Sequence, residues 1–178
     1  MERLVGMEAP SFKMEAVDGK GKDFITVSLS DYKDKWLVMF FYPLDFTFVC
    51  PTEITGLSKR INDFKKLDAE VLGISIDSKF SHKAWIETPV EKGGLGELNY
   101  PLASDITKDV SRKYGVLIEL DGIALRGLFI IDPKGIIRYS VIHDLNVGRS
   151  VDETLRVLQA LQSGGLCPID WHPGDPTL

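Results

Sequence analysis

Two cysteines are the residues of this sequence best suited to chemistry, and the first stands where a strand gives way to a helix. Cys50 follows an apolar run at residues 36–41 that predicts a buried strand. Pro51 then opens a helical pattern, since proline suits the first position of a helix. Free backbone N–H groups and the helix dipole favour negative charge there, so Cys50 is placed to form a thiolate. That position would serve a nucleophile, a redox sensor, a disulfide reductase or a core thiol.

The second cysteine, Cys167, follows the last predicted helix in a segment rich in proline and glycine. Two cysteines are too few for a disulfide scaffold, and a reducing compartment keeps both as thiols. A disulfide between them is therefore expected to be transient and catalytic. We expect the tail at residues 164–178 to be mobile, which would let Cys167 travel to a Cys50. The residues alone leave open whether that is its own Cys50 or a partner's.

The elements that must position Cys50 follow from hydrophobic periodicity. After the first strand, residues 51–67 predict a helix whose apolar side chains fall every three or four residues. Those residues are Ile54, Leu57, Ile61, Phe64 and Leu67. Further strands are predicted at 71–76, 116–120, 125–131 and 136–142, further helices at 78–87, 105–114 and 150–163, and an N-terminal hairpin at 10–17 and 24–29. Early strand–helix alternation and a late hairpin predict an α/β protein with a mixed sheet flanked by helices.

Local signals mark the ends of the later elements. Asp105 is a predicted helix cap and Gly115 the matching stop. Residues 150–153 have the pattern of a capping box and open the last helix. Residues 88–100 show little periodicity and predict a loop. We therefore predict one domain at residues 1–163 and a tail at 164–178.

Composition excludes several classes of protein. The 178 residues carry a net charge of −5, which argues against a general binder of nucleic-acid phosphates. No apolar run approaches the roughly 20 residues that span a bilayer. The N-terminus has no basic-then-apolar signal pattern, so a cytoplasmic location is expected. The three histidines are scattered and no Cys-x-x-Cys occurs, so neither a metal site nor another cofactor is expected.

The segment around Cys50 resembles the peroxidatic motif of the peroxiredoxins. Pro43, Thr47 and Cys50 have the spacing of that motif, and residues 41–53 read Phe-Tyr-Pro-Leu-Asp-Phe-Thr-Phe-Val-Cys-Pro-Thr-Glu. The longer string is similar to the typical two-cysteine branch, which includes bacterial alkyl hydroperoxide reductase C. Other segments resemble the family in the family's order, at residues 93–96, 126–132, 146–153 and 165–168. The resemblance covers roughly residues 5–178.

This resemblance implies a thioredoxin-like fold with a central mixed sheet, and the reduction of hydrogen peroxide and organic hydroperoxides. It implies that Cys50 attacks the terminal peroxide oxygen and becomes a sulfenic acid. Thr47 and Arg126 would hold the peroxide oxygens and stabilise charge on the breaking bond. Pro43 and Pro51 would stiffen the loop from both ends.

The resemblance also implies which residues orient the site and which residue forms the disulfide. The resemblance implies that Glu53 orients an arginine and that Arg149 lies near the thiolate. Cys167 would then attack the sulfenic acid of a second subunit, which implies a homodimer joined head to tail. Dimers of the family often assemble into decamers. Thioredoxin or a dedicated disulfide reductase would reset the disulfide by thiol–disulfide exchange.

Other functions are also compatible with a reactive cysteine at this position. A peroxide sensor or a redox-regulated chaperone would use the same chemistry, whereas a disulfide reductase is disfavoured because Cys-x-x-Cys is absent. Residues 93–96 fail as a phosphate-binding loop, because no Lys-Ser/Thr follows them. The sequence stops at Leu178 without the Tyr-Phe helix of many eukaryotic members. We therefore expect resistance to sulfinic acid formation, which abundant sulfinic Cys50 in mass spectra at millimolar peroxide would contradict.

Overall fold

The structure is a computed structural model that describes residues 3–178. Its strands are β1 (Lys13–Val17), β2 (Phe24–Ser28), β3 (Trp36–Phe41), β4 (Ala69–Ser75), β5 (Leu102–Ser104), β6 (Leu117–Ile118), β7 (Ile123–Ala124), β8 (Arg126–Ile131) and β9 (Ile137–His143). Its α-helices are α1 (Cys50–Lys59), α2 (Ile61–Lys66), α3 (Lys79–Glu87), α4 (Asp109–Lys113) and α5 (Val151–Ser163). Short 3-10 helices lie at Leu29–Tyr32 and Val90–Lys92.

A seven-stranded mixed sheet forms the centre, in the order β2-β1-β5-β4-β3-β8-β9. β3 pairs in parallel with β4, which pairs in parallel with β5. The other pairings of this sheet are antiparallel, including the predicted N-terminal hairpin of β1 and β2. The prediction of a mixed sheet flanked by helices is confirmed. β3 lies inside the sheet, and the chain that follows its last residue and leads to Cys50 is called the Cys50 loop below.

The side chains of β3 divide the core into two layers, because successive residues of a strand point to opposite faces. Val38 and Phe40 pack with α1, α2, α3 and α5 on one face. Leu37, Met39 and Phe41 pack with α4 and the N-terminal segment on the other. The strand is buried on both faces, which explains why its sequence is continuously apolar rather than alternating.

The predicted helix at residues 51–67 is two helices, α1 and α2, separated at Arg60. The Arg60 backbone leaves helical geometry at φ −100° and ψ 11°, and its side chain binds Asp63 and Asp152. The break leaves Ile61 and Phe64 buried on the same core face as Ile54 and Leu57 of α1. The predicted apolar stripe is therefore confirmed, whereas the prediction of one continuous helix is wrong.

Two further predictions need correction. The helix expected at residues 105–114 begins only at Asp109, because Lys108 has a left-handed backbone with φ 63°. Asp105 nevertheless acts as expected, since its carboxylate accepts the amides of Val110 and Ser111. The hairpin expected from 116–120 and 125–131 is the short pair β6–β7, and β8 instead joins the main sheet.

The last helix starts as predicted, with the Ser150 hydroxyl accepting the Glu153 amide at 3.1 Å. The expected capping box is incomplete, because the Glu153 carboxylate pairs with Arg156. The helix ends at Gly164, which takes the left-handed conformation that glycine tolerates.

The segment at residues 93–96 lies in a loop, as predicted, and this loop is closely packed. A Cβ on Gly94 would lie 1.8 Å from the Thr88 carbonyl oxygen, closer than two non-bonded atoms can approach. The loop is held by the bond from the Leu95 amide to the Trp85 carbonyl and by burial of the Leu95 side chain. Glycine at position 94 is therefore a packing requirement.

We expect Gly94→Ala to lower the free energy of unfolding by about 1–3 kcal/mol, the usual cost of forcing an atom into a packed site. Urea unfolding followed by circular dichroism would measure it. Gly56→Ala is the matched control, because its Cβ would meet only Val151 at 3.8 Å. That control should gain about 0.5–1 kcal/mol from its helical position. Equal effects of the two changes would contradict the close packing at Gly94.

Candidate active site

Cys50 is the first residue of α1, and its side chain is completely buried. It lies in the core layer that contains Phe40 and Ile54. The Cys50 loop begins where β3 ends, and the Tyr42 amide still donates to the Ile74 carbonyl of β4. The sheet therefore fixes one end of the loop, and the helix fixes the other.

Arg126 reaches the cysteine from β8, the strand that pairs directly with β3. Its Nη1 lies 3.4 Å from Cys50 Sγ and 2.7 Å from Glu53 Oε2. Its Nε donates to the Leu145 carbonyl at 2.7 Å. The guanidinium is almost fully buried, so its positive charge acts on the sulfur with little screening by water.

Arg149, in the segment before α5, holds the other side of the same carboxylate. Its Nε is 2.8 Å from Glu53 Oε1 and its Nη2 is 3.0 Å from Oε2, a two-pronged pairing. Its backbone amide also donates to Oε1. Its Nη1 donates to the carbonyls of Phe41 and Gly127, which ties the ends of β3 and β8 together.

Glu53 is thus a carboxylate shared by two buried arginines. Burial alone would raise the pKa of Glu53, but hydrogen bonds and charge from Arg149, with a contribution from Arg126, hold that pKa below its ordinary value. The carboxylate is therefore ionised at neutral pH. Two guanidinium groups and one carboxylate leave one positive charge uncompensated in this cluster, and the Cys50 sulfur is hydrogen-bonded to it.

The other predicted residues of the loop lie in the same segment. Pro43 is buried near the end of β3. The Thr47 hydroxyl donates to the Leu44 carbonyl at 3.0 Å, which leaves its oxygen lone pairs available as acceptors. The structure therefore brings Cys50, Glu53, Arg126 and Arg149 into direct contact, with Pro43 and Thr47 in the adjoining loop.

Cys167 is not part of this cluster. Its Sγ lies 3.4 Å from Ser163 Oγ and 3.7 Å from the Ala160 carbonyl, at the C-terminal end of α5. The arginine cluster lies at the other end of that helix, roughly 15 Å away along its axis. Both cysteines are free thiols. Within one chain, the two sulfurs are therefore far from bonding distance in this conformation.

The tail that carries Cys167 is fastened by identifiable contacts. Trp171 is buried, and its carbonyl accepts a hydrogen bond from Arg156 Nη1 at 2.8 Å. The Leu178 amide donates to the Leu166 carbonyl, which closes the tail on itself. Movement of Cys167 in solution stays a prediction, and it would have to begin from this docked position.

A buried polar network under the loop was missed by the sequence analysis. The Asp45 carboxylate accepts the Tyr42 hydroxyl at 2.9 Å and the Ser81 hydroxyl at 2.8 Å, and it lies 2.8 Å from His82 Nδ1. His82 Nε2 lies 3.1 Å from the Ala103 carbonyl, which gives the buried ring a partner at both nitrogens. The network fastens the loop to α3 and β5.

Asp77 extends this network. Its carboxylate accepts the Asp45 amide at 2.9 Å and the Ser75 hydroxyl at 2.7 Å. Burial raises the pKa of Asp77, and the nearby Asp45 carboxylate adds to the effect. Burial also raises the pKa of Tyr42 well above its ordinary value, so its hydroxyl remains a donor. One sequence signal could have found the network: His82 shares a helical face with the apolar Trp85 and Ile86.

Comparison with known proteins identifies the family. The AhpC/TSA family profile matches residues 5–140. A protein of Clostridium pasteurianum named as a peroxiredoxin in the rubredoxin operon is 66% identical over 178 residues, which cover both chains completely. Peroxiredoxin-2 of Macaca fascicularis is 57% identical, over 98% of this chain and 89% of its own. The reduced 2-Cys peroxiredoxin of Plasmodium vivax superposes with a TM-score of 0.96 at 44% identity, over 99% of this chain and 93% of that one.

The chain therefore belongs to the AhpC/TSA family and has the thioredoxin-like fold of the 2-Cys peroxiredoxins. It is an enzyme, a thiol peroxidase of antioxidant defence, as the sequence resemblance implied. These relatives do not favour the sensor or the chaperone interpretation. Among residues 3–178, no helix is both long and apolar enough to cross a membrane.

We expect Glu53→Gln to lower the free energy of unfolding by about 3–5 kcal/mol, because it leaves two buried guanidinium groups without their counter-charge. The pH dependence of this stabilisation follows from the lowered pKa of Glu53. The stabilisation is present above the ordinary glutamate value of 4.5 and is lost as the pH falls through the folded-state pKa. Urea unfolding from pH 7 to pH 3 should show this decline for the unchanged protein, and the variant should lack that component.

Glu119→Gln is the control, because Glu119 pairs with Arg112 on the surface. It should change stability far less than Glu53→Gln at any pH. Similar losses for the two variants would contradict the structural role assigned to the buried cluster.

Proposed function

We propose that Cys50 is the residue that reduces the peroxide, in a cycle completed by Cys167 of a second subunit. The observation that supports this most strongly is the 3.4 Å contact between Cys50 Sγ and Arg126 inside a cluster with one uncompensated positive charge. A thiolate at Cys50 neutralises that charge. Because the group is buried, the attraction between the Arg126 guanidinium and a negative charge at this position is stronger than it would be in water.

In the first step, the Cys50 thiolate attacks the terminal oxygen of the peroxide. A sulfur–oxygen bond forms and the oxygen–oxygen bond breaks, so the thiolate becomes a sulfenic acid and the departing hydroxide or alkoxide takes up a proton. Arg126 stabilises the charge that develops on the peroxide oxygens. Thr47, whose own proton is donated to Leu44, accepts a hydrogen bond from the peroxide hydroxyl.

Glu53 and Arg149 act one step further from the substrate. Glu53 fixes the guanidinium of Arg126 through its 2.7 Å bond, and Arg149 fixes Glu53 in turn. Pro43 limits the backbone freedom of the loop on its other side. These residues keep the Arg126 donors in place before the peroxide arrives, which is what makes such donors effective.

In the second step, the Cys167 thiolate of the partner subunit attacks the sulfur of the sulfenic acid. A disulfide forms and the sulfur–oxygen bond breaks, and the hydroxide leaves as water after it takes up a proton. An external dithiol protein, thioredoxin or a dedicated disulfide reductase, then restores both thiols. The docked position of Cys167 at the far end of α5 supports resolution between subunits rather than within one chain.

Two surfaces support assembly into homodimers and then decamers. β9 is an edge strand of the sheet. The N-terminal segment bonds to its first residue, Ile137, and the rest of the strand, which includes the exposed Ile142, fits pairing with a second copy. Phe24 and Phe80 form an exposed edge-to-face pair under the Lys79 ammonium group. A related chain, Plasmodium yoelii Prx1a modified at its N-terminus, forms an artifactual octamer.

We place the chain in the cytoplasm, although relatives include chloroplastic peroxiredoxins.

We expect Cys50→Ser to abolish peroxide consumption, because serine has no thiolate to attack the peroxide. Cys167→Ser should still consume one equivalent of peroxide per chain but should not turn over with a thioredoxin system. Stopped-flow peroxide consumption separates the two. Near-normal turnover of Cys50→Ser would contradict the assignment.

A non-reducing gel after one equivalent of peroxide tests the resolving step. The unchanged protein should give a band of dimer mass, and Cys167→Ser should not. An equimolar mixture of Cys50→Ser and Cys167→Ser chains should give a dimer band again, because each supplies the cysteine that the other lacks. A monomeric disulfide in the unchanged protein would contradict resolution between subunits.

In its reduced form, the Phe80→Glu variant should assemble into dimers instead of decamers. The reason is that the new charge would be buried in the contact between dimers. Light scattering coupled to size exclusion would measure the mass. Leu120→Glu is the control, since Leu120 is also an exposed apolar residue but lies between β6 and β7. Decamers in both variants would exclude the aromatic pair from the assembly.

A further inference from the structure

A short segment, residues 98–100, is hydrogen-bonded to α1 just after the first turn of that helix, the turn that begins at Cys50. The Tyr100 hydroxyl donates to the Ile54 carbonyl at 2.6 Å. The Asn99 amide donates to Ser58 Oγ at 3.0 Å, and Asn99 Nδ2 donates to the Ser58 carbonyl at 3.2 Å. Tyr100 is only 4% exposed. The middle of α1 is therefore bonded to a segment outside the helix, whereas its first turn is not bonded to that segment.

The segment itself has little freedom to move. The Leu98 side chain is buried and its amide donates to the Gly19 carbonyl at 2.7 Å. The Tyr100 ring packs edge-to-face on Phe40 of β3, with 5.9 Å between ring centroids. Burial raises the pKa of Tyr100 well above its ordinary value, so the hydroxyl stays protonated and remains a donor. Ile54 is thus held by a fixed group on the sheet.

A second anchor lies on the other side of the reactive turn. Asp45 is bonded through its backbone amide to Asp77 and through its carboxylate to His82. Between the two anchors lie residues 46–53, where Phe48 is 92% exposed. The chain is therefore fastened before and after the reactive cysteine.

We propose that Tyr100 is a positioning residue that stops the unwinding of α1 at Ile54 when Cys50 moves out to meet Cys167. This inference rests on the proposed resolving step, in which the thiolate of Cys167 forms the disulfide and displaces the sulfenic oxygen as water. In an α-helix, the Ile54 amide bonds to the Cys50 carbonyl, so that bond breaks when Cys50 leaves. The Ile54 carbonyl is held by both the Ser58 amide and the Tyr100 hydroxyl. Unwinding past Ile54 would lose both bonds, and the opening ends there.

The consequence is control over the fate of the sulfenic acid. A closed helix exposes sulfenic Cys50 to a second peroxide, which gives a sulfinic acid, and an open one exposes it to Cys167. Without the Tyr100 hydroxyl, unwinding beyond Ile54 breaks one hydrogen bond fewer, so the unwound state includes more conformations and is more populated. Tyr100 therefore keeps the site folded around the peroxide at the cost of slower disulfide formation.

Tyr100→Phe tests the proposal, with Tyr114→Phe as its matched control. The Tyr114 hydroxyl also is held by a backbone carbonyl, that of Pro10 at 2.9 Å, but in the opposite core layer. At fixed peroxide, we expect Tyr100→Phe to raise the ratio of disulfide to sulfinic Cys50 about fivefold, as the loss of one buried hydrogen bond predicts. The first oxidation of Cys50 should change less than twofold. Mass spectrometry and stopped-flow fluorescence measure the two quantities, and Tyr114→Phe should leave both unchanged.

Hydrogen exchange of the reduced protein gives a readout that does not depend on the peroxide reaction. The Ser58 amide bonds to Ile54, and in the unchanged protein it should exchange more slowly than the amides of the first turn. In Tyr100→Phe its exchange should approach theirs, whereas Tyr114→Phe should preserve the difference. Ser58→Ala removes the Asn99 contact at the same place and should shift the exchange in the same direction.

An unchanged disulfide-to-sulfinic ratio in Tyr100→Phe would overturn the proposal, and so would an equal shift in Tyr114→Phe, which would point to global stability. If the unchanged protein formed no disulfide at all, the proposed resolving step would fail. The exchange of the Ser58 amide would then decide the role of Tyr100 independently.

Discussion

The pairing of Glu53 with Arg126 and Arg149 is the interaction on which the rest of the site depends. It joins the first turn of α1, strand β8 and the segment before α5 in one buried contact. Buried charges are costly unless they are paired and hydrogen-bonded, and here backbone carbonyls accept further hydrogen bonds from both arginines. The cluster therefore stabilises the arrangement of three elements and sets the electrostatic environment of one sulfur.

The chain is held firmly on both sides of Cys50, and the short segment between these fixed points is able to open. The Tyr42–Asp45–His82 network fixes the loop where it leaves β3, and Tyr100 fixes the helix where it enters the core. Neither set of contacts includes the cysteine itself. A cooperative unit of a few residues can therefore open without disturbing the sheet, since local openings need less free energy than global unfolding.

Much of the fold and of the site could be predicted from the sequence. Periodicity located most of the large elements, and the continuous apolar run of β3 indicated a strand buried on both faces. The break at Arg60 could not be predicted, because it depends on partners as distant as Asp152. Strand β5 has three residues, too few for a period to appear. The family resemblance implied roles for Cys50, Thr47 and Arg126, but the contacts of Asp45 and His82 form across 37 residues and leave only a weak signal in either segment.

The Cys50 sulfur also belongs to the hydrophobic core, in the layer that contains Phe40 and Ile54. If Cys50 leaves this layer in each cycle, every turnover includes a small reversible unfolding event, and the free energy of core packing enters the reaction rate directly. Substitutions that make this layer more stable would then make the enzyme slower to complete its cycle. Evolution toward a hotter environment would have to strengthen the opposite layer, around Phe41 and Tyr114, and leave this one marginal.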